Sequence, residues 1–146
     1  MDRSLLDEYS AIAAQAIFAA YPDWEAHASA QDGALDLQVP CPVSGRPELR
    51  IYTDDEEITV AYDRWHAHFD QWFETDEEHI FADAHACVRA ILSEKIAIVV
   101  HMNGDRWAGS QILFVGDPTP EPGPGQTTYI RSWLGNYDGE AHPPGT

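Results

Sequence analysis

Hydrophobic and polar positions alternate along this chain with two different periods. From Ser4 to Tyr21, Leu5, Tyr9, Ile12, Ala13, Ala16 and Ala20 recur at helical spacing, with Leu6 and Ile17 widening the stripe. Ser4 stands at the N-cap position with Asp7 able to answer it, and Pro22 stops the pattern. The spacing predicts a first helix over 4–21, its alanine-rich face suited to close packing on a sheet. Residues 23–33, with Trp24 and His27, read as a connector.

The period then changes to two. Leu35, Leu37 and Val39 alternate as a strand that Pro40, Pro42 and Ser44-Gly45-Arg46-Pro47 break into a turn. Leu49, Ile51 and Thr53 predict a second strand, and Asp54-Asp55-Glu56 an acidic turn. In the third strand Ile58, Val60 and Tyr62 share one face while Glu57, Thr59, Ala61 and Asp63 share the other. Beyond it the phase flips. Trp65 and Phe69 take the odd positions, and Arg64, His66, His68 and Asp70 take the even ones. One uninterrupted strand cannot put both apolar sets on one side. Either a bulge near Asp63-Arg64 inserts a residue or the strand ends there. Both alternatives project His66, His68 and Asp70 from a common side.

Thr75-Asp76-Glu77-Glu78 has the form of a capping box, and its acidic first turn complements the helix dipole. Ile80, Phe81, Ala84, Cys87, Val88, Ile91 and Leu92 carry an apolar stripe that predicts a second helix to about Lys95. The β-branched run from Ile96 to Met102 predicts a buried strand. Asn103-Gly104 signals a hairpin back along Arg106 to Val115. Pro118, Pro120, Pro122 and Pro124 make Gly116 to Gly125 a loop. Thr127 to Trp133 predicts a last strand. The pattern is therefore α+β: a single domain over 1–134 followed by a loosely held tail over 135–146. Its antiparallel sheet has about five to six strands, with two helices packed on one face.

Composition bounds the functional classes. The 146 residues are 44% hydrophobic, enough for a packed core. No apolar run approaches the roughly 20 residues that a membrane span needs. The sequence opens Met1-Asp2-Arg3-Ser4, without a basic region or an apolar stretch behind it, so a cytoplasmic protein is expected. Cys41 and Cys87 lack zinc-knuckle spacing and read as free thiols. Asp and Glu total 25 against 8 Lys and Arg, a formal net charge of -17. Such a surface repels nucleic acid and anionic membrane and attracts a basic partner.

The candidate chemistry centres on residues 54–78. An H-x-H pair on a strand puts His66 and His68 within reach of one ion, and Asp70, Asp63 or Glu74 can add a carboxylate. The same histidines can pair with Asp63 or Asp70 for acid-base work. No His-Glu-x-x-His string, nucleophile elbow or phosphate-binding glycine loop accompanies them, and no set of positioned catalytic roles can be assembled. No catalytic residue, cofactor or resident metal is therefore assigned. Trp65, His66, Phe69, Trp72 and Phe73 lie close together beside Asp70, Glu74, Asp76, Glu77 and Glu78. Aromatic anchors ringed by charge suit a protein interface, although these aromatics can equally fill a core.

The run Glu57-Ile58-Thr59-Val60 through Asp63, then Trp65-His66-x-His68-Phe69-Asp70, resembles a motif of small immunity proteins of bacterial polymorphic toxin systems. The resemblance extends to the capped helix that follows, the second hairpin and Ser132-Trp133-x-Gly135. It implies an inhibitor that binds a cognate toxin domain as a heterodimer and blocks its active site, and it implies no catalytic residue. The charge points to a basic, nucleic-acid-targeting toxin, a nuclease or deaminase. The contact residues expected are His66, His68 and Asp70, with Trp65 or Trp72 as anchor and Asp54, Asp55, Glu74, Glu77 and Glu78 around them. A metal-dependent enzyme using His66, His68 and a nearby carboxylate is the alternative. An adaptor presenting the 118–124 loop is a third reading.

Overall fold

The computed structural model describes residues 1–69 and 77–141, with the backbone alone over 77–82. The fold is α+β, as the periodicities predict, with two long helices and short 3-10 turns. The strands are more numerous than expected, and they divide between two antiparallel sheets of five and four instead of forming one. The chain forms two compact units interleaved in sequence. Met1–Pro40, Glu48–Tyr62 and the described part of His66–Val88 make the first. Cys41–Pro47, Asp63–Trp65 and the described residues from Arg89 onward make the second.

In the first unit, helix α1 spans Glu8–Ala20. It starts later than its stripe suggests, because Asp7 rather than Ser4 is the cap: the Asp7 carboxylate accepts the Ser10 amide at 2.7 Å. Arg3–Leu5 is a separate 3-10 turn capped by Asp2. The sheet runs in the order β1 (Ala28–Gln31), β2 (Ala34–Val39), β3 (Leu49–Asp54), β4 (Glu57–Tyr62) and β5 (Trp65–Phe69). The connector expected over 23–33 thus contains a strand. Asp32 and Gly33 both take positive φ, 51° and 84°, the geometry of a two-residue hairpin turn.

The register aligns Leu37 with Ile51 and Ile51 with Val60, and Val39 with Leu49 and Leu49 with Tyr62. All of these are buried, together with Tyr9, Ala13, Ala14 and Phe18 of α1. One polar group enters this core with its partners. Thr53 Oγ1 lies 2.6 Å from Ser10 Oγ and accepts the Leu35 amide at 2.9 Å. Ala84 and Val88 of helix α2 (Glu77–Leu92) border the same cavity as Ala13 and Ile17 of α1 and Ile58 and Val60 of β4. Both helices therefore lie on one face of this sheet.

The second unit holds the end of α2 and the sheet β7-β6-β8-β9, with β6 at Ile96–Asn103, β7 at Arg106–Phe114, β8 at Thr127–Arg131 and β9 at Gly139–Ala141. The helix stops in a Schellman pair. Lys95 N donates to Ala90 O at 3.0 Å and Glu94 N to Ile91 O at 3.1 Å, with Glu94 itself at φ 56°. Ile96, Ala97, Ile98, Val99 and Val100 are all buried, so β6 is covered on both faces. The proline-bearing stretch after β7 is irregular, as expected. Residues 135–141, expected to belong to a loosely held tail, include β9, which pairs with β8 from Thr128 to Ile130.

Candidate functional site

The phase flip after Tyr62 is a turn, not a bulge. Asp63 takes φ 53°, which a short polar side chain tolerates, and the chain reverses into β5. This turn belongs to the second unit. Tyr129 Oη donates to Asp63 Oδ2 at 2.7 Å, and Ser110 Oγ donates to the Arg64 carbonyl at 2.7 Å. Burial and the Asp63 contact push the Tyr129 hydroxyl up to about 12, so it stays a donor. Asp63 is thereby occupied as a turn anchor.

On β5 the sequence alternation holds. His66 and His68 are exposed on one face, while Trp65, Ala67 and Phe69 are half-buried on the other. The two imidazoles meet edge to face with centroids 4.8 Å apart. The Nδ1 of His68 lies 2.8 Å from Oγ1 of the buried Thr59 and also contacts the Glu57 carboxylate. Trp65 therefore does not join the histidines as an anchor on their face, because adjacent strand residues point to opposite sides. Asp70, Trp72 and Glu74 lie outside the described residues, as do the side chains of Glu77 and Glu78. Asp54 and Asp55 are exposed at the β3–β4 turn, where Asp55 and Glu56 both have positive φ. They are placed for solvent contact by the hairpin geometry. Among the described residues no three His, Cys, Asp or Glu side chains gather closely enough to hold a metal ion.

The remaining chemistry-bearing groups are engaged elsewhere. Burial pushes the Cys87 thiol up to about 11, leaving almost no thiolate at neutral pH. Cys41, also a free thiol, donates to the Trp133 carbonyl at 3.2 Å. Burial acts to raise the Glu94 carboxyl, but hydrogen bonds from Ser132, Asn136 and Leu134 hold it below the ordinary range. Arg46 gathers the other end of that segment. It donates to the carbonyls of Ser132 and Trp133 and pairs with Asp138 at 2.9 Å. In the first unit an apolar cavity of about 190 Å³ lies between α1, α2 and β4, with the Tyr21 Oη and His85 Nε2 pair, 3.1 Å apart, on its border.

No protein-family model, curated protein or solved structure matches the chain. Function must be read from the molecule's own surface. The described part of the 65–73 cluster, residues 65–69, does not hold its largest exposed apolar side chains. Among the described residues they include Trp107 and Phe114 on β7. As an aromatic within a strand pattern, Trp107 is expected in a core or at its rim. The available sign was Gly109 inside a strand pattern, which marks a bulge and a change of facing.

Proposed function

We propose that the chain is an immunity protein that binds and inhibits a cognate bacterial toxin domain, a basic enzyme acting on nucleic acid such as a nuclease or deaminase. The observation that carries this reading is the charge. Arg3, Arg46, Arg50 and Arg131 pair with carboxylates of the chain itself, and the 25 Asp and Glu against 8 Lys and Arg leave a formal net charge of -17. A basic substrate groove is drawn to such a surface, and rim carboxylates such as Asp54 and Asp55 raise the capture rate. The resemblance of residues 57–70 to immunity proteins supports the same reading. Occlusion of the toxin's active site needs no reactive group on the inhibitor.

The test is co-expression with the product of the adjacent upstream gene. Rescue of growth and a one-to-one complex are expected, with an association rate that falls steeply from low to high salt. No complex and no rescue would overturn the reading. The second reading is a metal-dependent enzyme that uses His66 and His68, whose rings meet 4.8 Å apart. A stoichiometric transition metal in the purified protein, lost on His66→Ala with His68→Ala, would establish that alternative.

A further inference from the structure

Strand β7 is the outermost strand of the second sheet. It pairs with β6 on one side, and no described strand pairs with its other side. Its facing follows from the register. Ile96, Ile98 and Val100 align with Phe114, Ile112 and Ser110, and His101 aligns with Gly109, but Met102 aligns with Trp107. Ala108 is therefore an extra residue, a bulge that shifts the strand by one position. The shift rotates Trp107 onto the face of Ser110, Ile112 and Phe114. The Trp107 indole N–H donating to Ser110 Oγ at 2.8 Å agrees with this. Without the bulge, Trp107 would point to the opposite side. The outcome is a row of apolar side chains along one face of an unpaired edge: Trp107 is 53% exposed, Ile112 37% and Phe114 64%.

Exposed sheet edges are ordinarily blunted by charge, proline or shortness. From Trp107 to Phe114 this strand has no charged residue and no proline. The hairpin around it is electrically balanced, with Lys95 and Arg106 set against Asp105 and Asp117, while the whole chain carries -17. A second copy approaching this edge brings the same excess of negative charge and is repelled. A basic partner meets no local barrier and is attracted by the rest of the molecule.

We propose that the free edge of β7 takes up an extended basic segment of a partner protein as an added strand. The Phe114 carbonyl accepts the Asp117 amide at 3.0 Å, and along the rest of the edge, which no described strand pairs with, an extended occupant fits. The row Trp107-Ile112-Phe114 suits apolar side chains at alternate positions, and the chain's net charge of -17 favours Lys or Arg at the others. The basic character of the occupant rests on the inhibitor reading, and the surface supplies that reading with a contact distinct from residues 54–78.

The probe is a synthetic nonapeptide of alternating Lys and Val, with a Glu-Val peptide as its counterpart, followed by amide hydrogen exchange on the full chain. At ten times its Kd the Lys-Val peptide should slow exchange of β7 amides by about tenfold. The effect should vanish in the charge-neutral double variant Trp107→Ser, Phe114→Ser, whose thermal midpoint checks that it is folded. Ile112→Lys, on the same face, serves as the second variant. Absence of protection, equal protection by the Glu-Val peptide, persistence in both variants, or a dimer protected at β7 without peptide would each overturn the proposal. Growth rescue separates the two claims. Rescue by the double variant as well as by the natural chain overturns the β7 surface and leaves the inhibitor standing, whereas failure of the natural chain to rescue overturns the inhibitor alone.

Discussion

Strand β5 stands last in the order of the first sheet and β7 first in the order of the second. The five residues of β5 turn His66 and His68 outward, where the rings meet each other and His68 reaches Thr59 and Glu57. The nine residues of β7 turn Trp107, Ile112 and Phe114 outward beside Ser110, whose Oγ accepts from the indole and donates to the Arg64 carbonyl. Histidines in an H-x-H pattern attract notice as chemistry, yet one of these is held by its own neighbours. The aromatic and aliphatic residues of β7 look like core in sequence, yet they are the ones left facing solvent. A polar side chain on a sheet can satisfy itself across the strand, but an apolar one can leave water only by meeting another surface.

The comparison can be broken most severely from beneath. Ile98 is fully buried and aligned with the exposed Ile112. Ile98→Ala should destabilise the protein by about 2–5 kcal/mol in denaturant unfolding. Ile112→Ala should cost clearly less, because 37% of its surface stays in water while Ile98 has none there. Equal losses would mean that β7 is not a free edge.

The opposite end of the second sheet gives a contrast. There Arg46 fastens Asp138 and the carbonyls that follow β8. Arg46→Ala should cost about 2 kcal/mol, since the charge-assisted bonds to Asp138 and to two carbonyls are lost together. Burial acts to raise the Asp138 carboxyl from its ordinary 3.8, but the Arg46 guanidinium and the Ser132 amide outweigh it and lower the value. The stabilisation this gives is complete above the unfolded value and is lost as pH falls through the lower folded one. Unfolding followed from pH 5 downward should show that loss in the natural chain and a weaker one in Arg46→Ala.

On β5 the sharpening change is Thr59→Val. It keeps the buried shape, removes the Oγ1 contact to His68, and should cost about 1 kcal/mol by thermal unfolding. A loss near zero would show that the histidine is held by Glu57 alone. The smallest expected effect is on β7. Trp107→Ser and Phe114→Ser should each change stability by no more than about 0.5 kcal/mol, as exposed substitutions do. A large loss would make these side chains structural and remove them as a docking row.

Much of the architecture was legible in order. The Leu35 to Tyr62 alternation, the described part of the α2 stripe and the Ile96 to Val100 run became elements where their periods placed them, because burial of one face is a local signal. Helix α1 instead starts at Glu8 and buries Tyr9, Ser10, Ala13, Ala14 and Phe18, leaving Leu5 and Ile12 of the expected stripe exposed. What escaped was short or lay outside the period rules. β1 is only Ala28–Gln31, poor in β-formers, and it is held by the Asp32-Gly33 turn. β9 has three residues and depends on its pairing with β8. Of the expected contact set, His66 and His68 stand together and outward, Trp65 faces the other way, and Asp54 and Asp55 occupy a separate hairpin turn.

The sequence by itself determined the α+β composition, the two long helices, the parity of β2, β3 and β4 and the excess of negative charge, since all of these are properties of neighbouring residues or of their sum. Only the tertiary structure decided that the strands divide between two sheets, that Asp63 and Glu94 are consumed as anchors, and that Trp107 joins Ile112 and Phe114 in the open. Those outcomes depend on which strand pairs with which and where one extra residue enters a ladder. Pairing between segments distant in the chain leaves no period for a sequence to display.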